Sequence, residues 1–312
     1  MSFDLDALKA AVARHQRVTR VVIADLRGSS PREVGAAMLV WQDGQSGTIG
    51  GGALEFAAAQ AARDQRETCR LTRHALGPEL GQCCGGAVSL LSETYDARAV
   101  AALEGEVIAR PIAGAAAMPL AVRRILATAR DRGVGPEPAL IEGWMVEPVT
   151  RPTRDLWIWG AGHVGRALVD VLAPLPDLAI TWVDTGPERF PEVVPEAVTV
   201  LPAAHPADLA RHAPVRAEHL IVTYSHALDL ELCHRLLSHG FGFAGLIGSA
   251  TKWARFRSRL RALGHAPEQI ARITCPIGDP GLGKHPQQIA IGVAAQLMRQ
   301  SATTEQTKER RA

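Results

Sequence analysis

Leu156-Trp157-Ile158-Trp159-Gly160-Ala161-Gly162-His163-Val164-Gly165 decides the fold of the second half of this 312-residue chain. Four apolar residues run into three glycines spaced G-x-G-x-x-G, and an apolar segment at helical spacing follows over 164–172. The first glycine suits a tight turn, the second admits a pyrophosphate close to the backbone, and the third lets a helix pack on a strand. Asp184 ends the next apolar run, 19 residues past Gly165. Strand, glycine turn, helix and acid together predict a Rossmann-like unit. Its Asp184 carboxylate suits a ribose hydroxyl and disfavours a 2′-phosphate, so NAD is preferred to NADP if either binds. Such folds also persist as scaffolds without a ligand.

Further along, apolar runs at 198–201, 220–223 and 243–247 repeat the pattern of a parallel α/β sheet. His226, Asp229, Ser249 and Lys252 follow the predicted strand ends, the edge where open parallel sheets place ligands, and His163 sits between the turn glycines. The candidate nucleotide site is therefore Gly160, Gly162, His163, Gly165, Asp184, His226, Ser249 and Lys252. A final apolar helix is expected over 286–298, with a disordered polar tail over 301–312.

The first half has another character. Gly28-Ser29-Ser30-Pro31-Arg32 follows a β-branched strand at 18–26, itself preceded by an amphipathic helix over 4–16. A strand at 37–41 and an Asp43-Gly44 hairpin turn lead to Gly47-Thr48-Ile49-Gly50-Gly51-Gly52 and an alanine-rich helix over 54–66. The triple glycine thus stands where free amides and the helix dipole favour a phosphate or another anion, although glycine in a connection is also ordinary turn chemistry. Gln82-Cys83-Cys84-Gly85-Gly86 then precedes a strand at 87–94. A thiolate is a soft metal ligand and a nucleophile, whereas a buried cysteine is more often a small packing residue, and vicinal cysteines make a poor zinc pair. Prolines at 111, 119, 136, 138, 148 and 152 mark a domain transition, with a helix at 120–130 and a strand at 139–146 completing the first sheet. Domains are expected at 1–150 and 151–300.

Composition excludes several functions. With 34 basic and 32 acidic residues, the chain offers no broad electrostatic attraction for nucleic acid or a membrane surface. The five cysteines, 69, 83, 84, 233 and 275, form no disulfide framework, which favours a reducing compartment. The amino terminus lacks signal-peptide regions and no apolar run approaches 20 residues, so a soluble cytoplasmic protein is expected.

A resemblance adds to this reading. Ser29-Ser30-Pro31-Arg32 with Gly35, Gly47 through Glu55, and Cys84-Gly85-Gly86 resemble the signature of the XdhC/CoxI family, accessory factors of xanthine dehydrogenase and related molybdenum hydroxylases. The resemblance resumes at Trp159 to Gly165, Asp184, His226 with Asp229, Gly245-Leu246-Ile247-Gly248-Ser249 with Lys252, Pro276-Ile277-Gly278 and Pro286 to Ala290. It implies an N-terminal mixed α/β domain of this family followed by the Rossmann-like domain. By the same resemblance, the protein is a chaperone that binds molybdenum cofactor (molybdopterin), supports exchange of an oxo ligand for sulfur, and aids insertion into the apo-enzyme. It implies no catalytic residues. Its partners are the cofactor-binding subunit of xanthine dehydrogenase and a cysteine desulfurase, and it is a homo-oligomer, a dimer.

Cys84 is then the expected molybdenum ligand, and Ser29, Ser30, Arg32, Gly50, Gly51, Gly52, Glu55, Gly85 and Gly86 the expected cofactor-binding residues. Gln288 stands where many members carry Glu, and Asp279-Pro280-Gly281-Leu282-Gly283-Lys284 resembles the xanthine dehydrogenase branch. Two other classes compete, an NAD-dependent oxidoreductase built on the Rossmann-like fingerprint and a pure protein adaptor.

Overall fold

The computed structural model describes residues 2–77, 85–112, 117–133 and 135–309, with side chains as far as Gln300. The chain divides into two compact units, Met1–Thr150 and Arg151–Ala312.

In the first unit, Asp4 accepts the Ala7 amide at 2.9 Å and starts the helix Leu5–His15, which buries Leu5, Leu8 and Val12. β1 (Val18–Arg27) is the middle strand of an antiparallel sheet ordered β3-β2-β1-β5-β4, where β2 is Ala37–Trp41, β3 Gly44–Gly47, β4 Cys69–Ala75 and β5 Ala87–Tyr95. Its central place explains why Val18 through Ala24 are all buried, Thr19 and Arg20 included. The helix Gly52–Asp64 lays Leu54, Ala58, Ala59 and Ala62 on this sheet against Val21, Ile23 and Met38. Alanine at three of those four positions permits a close helix-to-sheet approach.

The strand expected at 139–146 is instead two strands, β7 (Ala139–Ile141) and β8 (Trp144–Pro148), which join β6 (Val107–Pro111) in a separate sheet ordered β6-β8-β7. Glu142 and Gly143 both have positive φ, 47° and 79°, and this pair of left-handed residues reverses the chain in a tight hairpin. β4 was not anticipated from the sequence. Its Cys-Arg-Leu-Thr-Arg-His-Ala reads as polar because it is an edge strand, and its charges discourage further strand pairing.

A buried charge network ties the two sheets together. Arg20 of β1 grips Glu147 of β8 through two bonds, at 2.7 and 3.0 Å, and Arg110 of β6 bonds to Glu93 of β5 at 2.6 Å and also to Glu147. Burial pushes the Glu147 carboxyl up, but the Arg20 and Arg110 guanidinium groups outweigh it and hold the group below its ordinary value. The Phe3 ring lies 4.2 Å from the Arg20 guanidinium carbon and 5.0 Å from that of Arg110, closing the network with cation–π contacts.

The second unit is built on a parallel sheet ordered β11-β10-β9-β12-β13-β14. Its strands are β9 (Arg154–Trp159), β10 (Leu178–Asp184), β11 (Val198–Pro202), β12 (Glu218–Ile221), β13 (Phe243–Leu246) and β14 (Ile273–Thr274). This is the doubly wound order, with the connection reversing direction between β9 and β12. Leu156 and Ile158 feed one apolar cluster and Trp157 and Trp159 the other, so helices cover both faces. The closing helix is Pro286–Glu309. The tail expected to be disordered from Ser301 is thus helical backbone through Glu309, in a segment without glycine or proline to stop it. No described helix is long and apolar enough to cross a membrane.

Candidate functional site

Three glycine-bearing segments of the first unit converge. Arg27 pairs with Ala87, which sets Gly28 beside Gly86: a Cβ on Gly28 would lie 3.2 Å from the Gly86 Cα. A Cβ on Gly86 would overlap the Ser29 carbonyl oxygen and lie 2.7 Å from that of Arg27, so only glycine fits. Gly50, at φ +122°, backs onto Pro31, whose Cγ would stand 2.7 Å from an added Cβ. Ser29 to Arg32 therefore lies between the Gly50 segment and the Gly86 segment, residues far apart in sequence. Among the described residues, a Cβ on Gly51 or Gly85 would meet nothing within 4 Å, and the buried Ser30 hydroxyl oxygen has no hydrogen-bond partner.

Glu55 changes how the triple glycine is read. Its Oε2 accepts the Thr48 hydroxyl at 2.6 Å and the amides of Ile49 and Gly51 at 3.0 Å each, while the Gly50 amide donates to the Thr48 oxygen at 3.0 Å. The Gly50 and Gly51 amides expected to meet a cofactor phosphate are thus engaged by the protein's own carboxylate and hydroxyl. Burial pushes the Glu55 carboxyl up, but the bonds from Thr48, Ile49, Gly51 and Gly50 outweigh it and hold the group below the usual carboxylate range. Arg32 runs beside Glu33, with Nε 3.4 Å from its carboxylate. Cys83 and Cys84 lie outside the described residues, and among the described residues no group of three or more His, Cys, Asp or Glu could hold a metal ion.

In the second unit the fingerprint glycines are used differently from one another. A Cβ on Gly165 would run into the Gly160 carbonyl, because the helix His163–Leu172 is pressed onto the end of β9. One on Gly160, at φ +116°, would meet the Val222 carbonyl oxygen at 2.6 Å, whereas one on Gly162 would meet nothing within 4 Å. Packing thus demands two of the glycines, and Gly162 is left with its face open.

Asp184 is 4% exposed and already committed. Its Oδ2 accepts the Ala161 amide at 2.6 Å, its Oδ1 accepts the Thr185 amide at 2.6 Å, and Arg189 Nε stands 3.5 Å away. Its carboxylate holds the glycine turn in place where the sequence had it facing a ribose. Lys252 is likewise engaged, donating to the buried Asp229 at 2.6 Å and to the Ile247 carbonyl at 2.9 Å, while Thr223 donates to the other Asp229 oxygen at 2.7 Å. Ser249 caps the helix Ala250–Ala262 by accepting the Lys252 amide. His163 and His226 are exposed at the first positions of their helices. Sequence reasoning missed Arg189 and Tyr224, whose exposed ring lies 5.0 Å from the Arg189 guanidinium on this same carboxyl edge. Neither belongs to a spaced motif. Gln288, at the position where many members of the family carry Glu, accepts the His285 amide at 3.2 Å and supports the start of the last helix.

Fold and site together define a chain with an antiparallel α/β unit bearing converged glycine segments and a Rossmann-type unit bearing a complete glycine fingerprint. This chain belongs to the XdhC and CoxI family: that family's model matches residues 11–74, and the model described as the XdhC Rossmann domain matches residues 156–297. Among curated proteins it is similar to the uncharacterized protein YqeB of Escherichia coli (strain K12), with 28% identity over 286 residues. That match covers 88% of this chain but only 42% of YqeB, so the chain spans less than half the length of that relative. A solved structure from Bacillus halodurans, described as a xanthine dehydrogenase, shares the fold with a TM-score of 0.68 at 22% identity over 96% of each chain.

Proposed function

We propose that the protein is an accessory factor that carries molybdenum cofactor as cargo, supports its sulfuration, and helps insert it into a xanthine dehydrogenase, acting in the cytoplasm without itself turning over a metabolite. One observation carries this reading: the three segments that resemble the family signature, 29–32, 50–55 and 85–86, meet in one place. The residues there fit a flat, anionic, metal-bearing cargo. Among the described residues Gly51 and Gly85 leave room for it and the Ser30 hydroxyl has no partner, and Arg32 supplies positive charge for a phosphate. The anionic end falls to Arg32 and Ser30, since Glu55 has taken the Gly51 amide. Cys84 is assigned to the metal end as a soft ligand or shield. Membership of the XdhC and CoxI family supports the accessory role.

The test is retention. Purified protein is assayed for oxidised-pterin fluorescence and for molybdenum on the same sample, and titrated with isolated cofactor. Cys84→Ser is expected to lose retention by roughly tenfold or more while Cys69→Ala keeps it. Equal retention in both variants defeats the assignment of Cys84. Transfer is tested by mixing loaded protein with apo-xanthine dehydrogenase, and activation no better than by free cofactor defeats the carrier role.

A second reading, an NAD-dependent oxidoreductase, draws on the open face of Gly162 beside the carboxyl edge of the parallel sheet. The commitment of Asp184 to Ala161 and Thr185 weakens its case for a free ribose 2′-hydroxyl. Calorimetry of the full chain with NAD, NADP, CTP and ATP decides it. Heat from none of them makes the second unit a scaffold.

A further inference from the structure

The helix Ala250–Ala262 of the second unit carries Lys252, Arg255, Arg257, Arg259 and Arg261 and no acidic residue. No Asp or Glu occurs anywhere between Glu231 and Glu268. The whole chain has a net charge of +2, so outside this helix its 29 other cations are outnumbered by 32 acids. This helix therefore carries five cations and no acid, while the rest of the chain is slightly acidic in sum.

Lys252 is spent inside the unit, on Asp229 and the Ile247 carbonyl. The four arginines are not. All four are exposed, and among the described residues none of them forms an ion pair. The helix is fixed to the unit by Phe256 and Leu260, both buried, so the arginines project from a rigid support. Arg255 with Arg259, and Arg257 with Arg261, are like charges at i and i+4, an arrangement that weakens a helix by a few tenths of a kcal/mol per pair. The helix dipole favours Arg259 and Arg261 in the last turn but does nothing for Arg255 and Arg257 in the middle.

We propose that the exposed face of Ala250–Ala262 is a docking surface for a carboxylate-rich segment of a partner protein. Charge complementarity picks this occupant. Guanidinium forks match carboxylates in bidentate geometry, and an acidic segment offset against them removes the like-charge repulsion along the helix. A nucleic acid or an anionic membrane needs a broad basic field, whereas outside this helix the chain's 29 cations are outnumbered by its 32 acids.

The experiment follows a fluorescently labelled glutamate-rich peptide of about 15 residues by anisotropy, with the full chain as receptor. Duplex DNA and vesicles of phosphatidylcholine with phosphatidylserine serve as competing probes. The double variant R255E/R259E, and separately R255Q/R259Q in case reversal disturbs the fold, is expected to weaken peptide binding roughly tenfold or more, as is a rise from low to high salt. R98E/R124E makes the same change in net charge at exposed arginines on other helices and is expected to bind as the wild type does. No peptide binding, equal loss in R98E/R124E, no loss in either helix variant, or tighter binding of DNA or vesicles than of peptide each overturns the proposal.

Discussion

Glu55 shows how one side chain reshapes a motif. Glycines before a helix advertise free amides, yet here a carboxylate one turn into the helix folds back and satisfies the amides of Ile49 and Gly51. Replacing it with alanine leaves those donors and the Thr48 hydroxyl without their acceptor, and a loss of about 1–3 kcal/mol is expected in urea denaturation. Because its pKa is lowered on folding, its contribution is fully present above the unfolded carboxyl value and is lost as pH falls through the folded one. Stability curves of wild type and Glu55→Gln should therefore converge in acid.

His219 follows a similar sign from another cause. Burial, and then the nearby His239, push its pKa down to about 3, and its Nδ1 accepts the Trp159 indole N–H at 3.2 Å, so the ring is held neutral. Its contribution is present above the unfolded value and drains away as pH falls from there toward about 3. Between pH 6 and 5, wild type is expected to lose about 1 kcal/mol more than His219→Gln, which keeps an acceptor for Trp159. A parallel decline in both proteins rejects this source of acid sensitivity.

Among the elements, the strand-to-helix turn after β9 yields the sharpest contrast. Gly165→Ala pushes a methyl into the Gly160 carbonyl and must lift the helix His163–Leu172 from the sheet, a loss of about 2–4 kcal/mol. Gly162→Ala meets open space at φ −72° and should cost only about 0.5–1 kcal/mol, the ordinary loss of a glycine at a helix N-cap. Similar losses in the two variants contradict this division of roles. The fingerprint was legible in the sequence because spacing and apolar flanks record local geometry. The commitment of Asp184 and Lys252 was not, since their partners Ala161 and Asp229 lie 23 residues away in each case and belong to other elements. β4 escaped for a different reason: an edge strand has no need of an apolar run on both faces.

Across the whole molecule, the two units have separate cores, and the sequence pattern revealed the parallel sheet better than the paired antiparallel ones. Parallel strands buried on both faces leave continuous apolar runs, while the first unit's second sheet depends on the short Glu142-Gly143 reversal. The charge network joining its sheets was invisible, since Arg20 and Glu147 are 127 residues apart. Glu147→Ala strands the buried Arg20 guanidinium and takes from Arg110 one of its two carboxylates, leaving it Glu93, and a loss of about 3–5 kcal/mol is expected in the first unit. Hydrogen exchange should quicken in β1, β5, β6 and β8 and stay unchanged in β9 to β13. Faster exchange throughout the chain would show that the units do not unfold separately.

The same unit is closed end to end. Phe3 bridges to Val149, the Ser2 and Thr150 hydroxyls are 2.6 Å apart, and Phe3 underlies the two arginines of the network. A unit whose entry and exit meet behaves as a cassette: a longer polypeptide can take it up at a surface loop without spreading that loop, and new termini can be cut elsewhere while the old ones are joined by a short link.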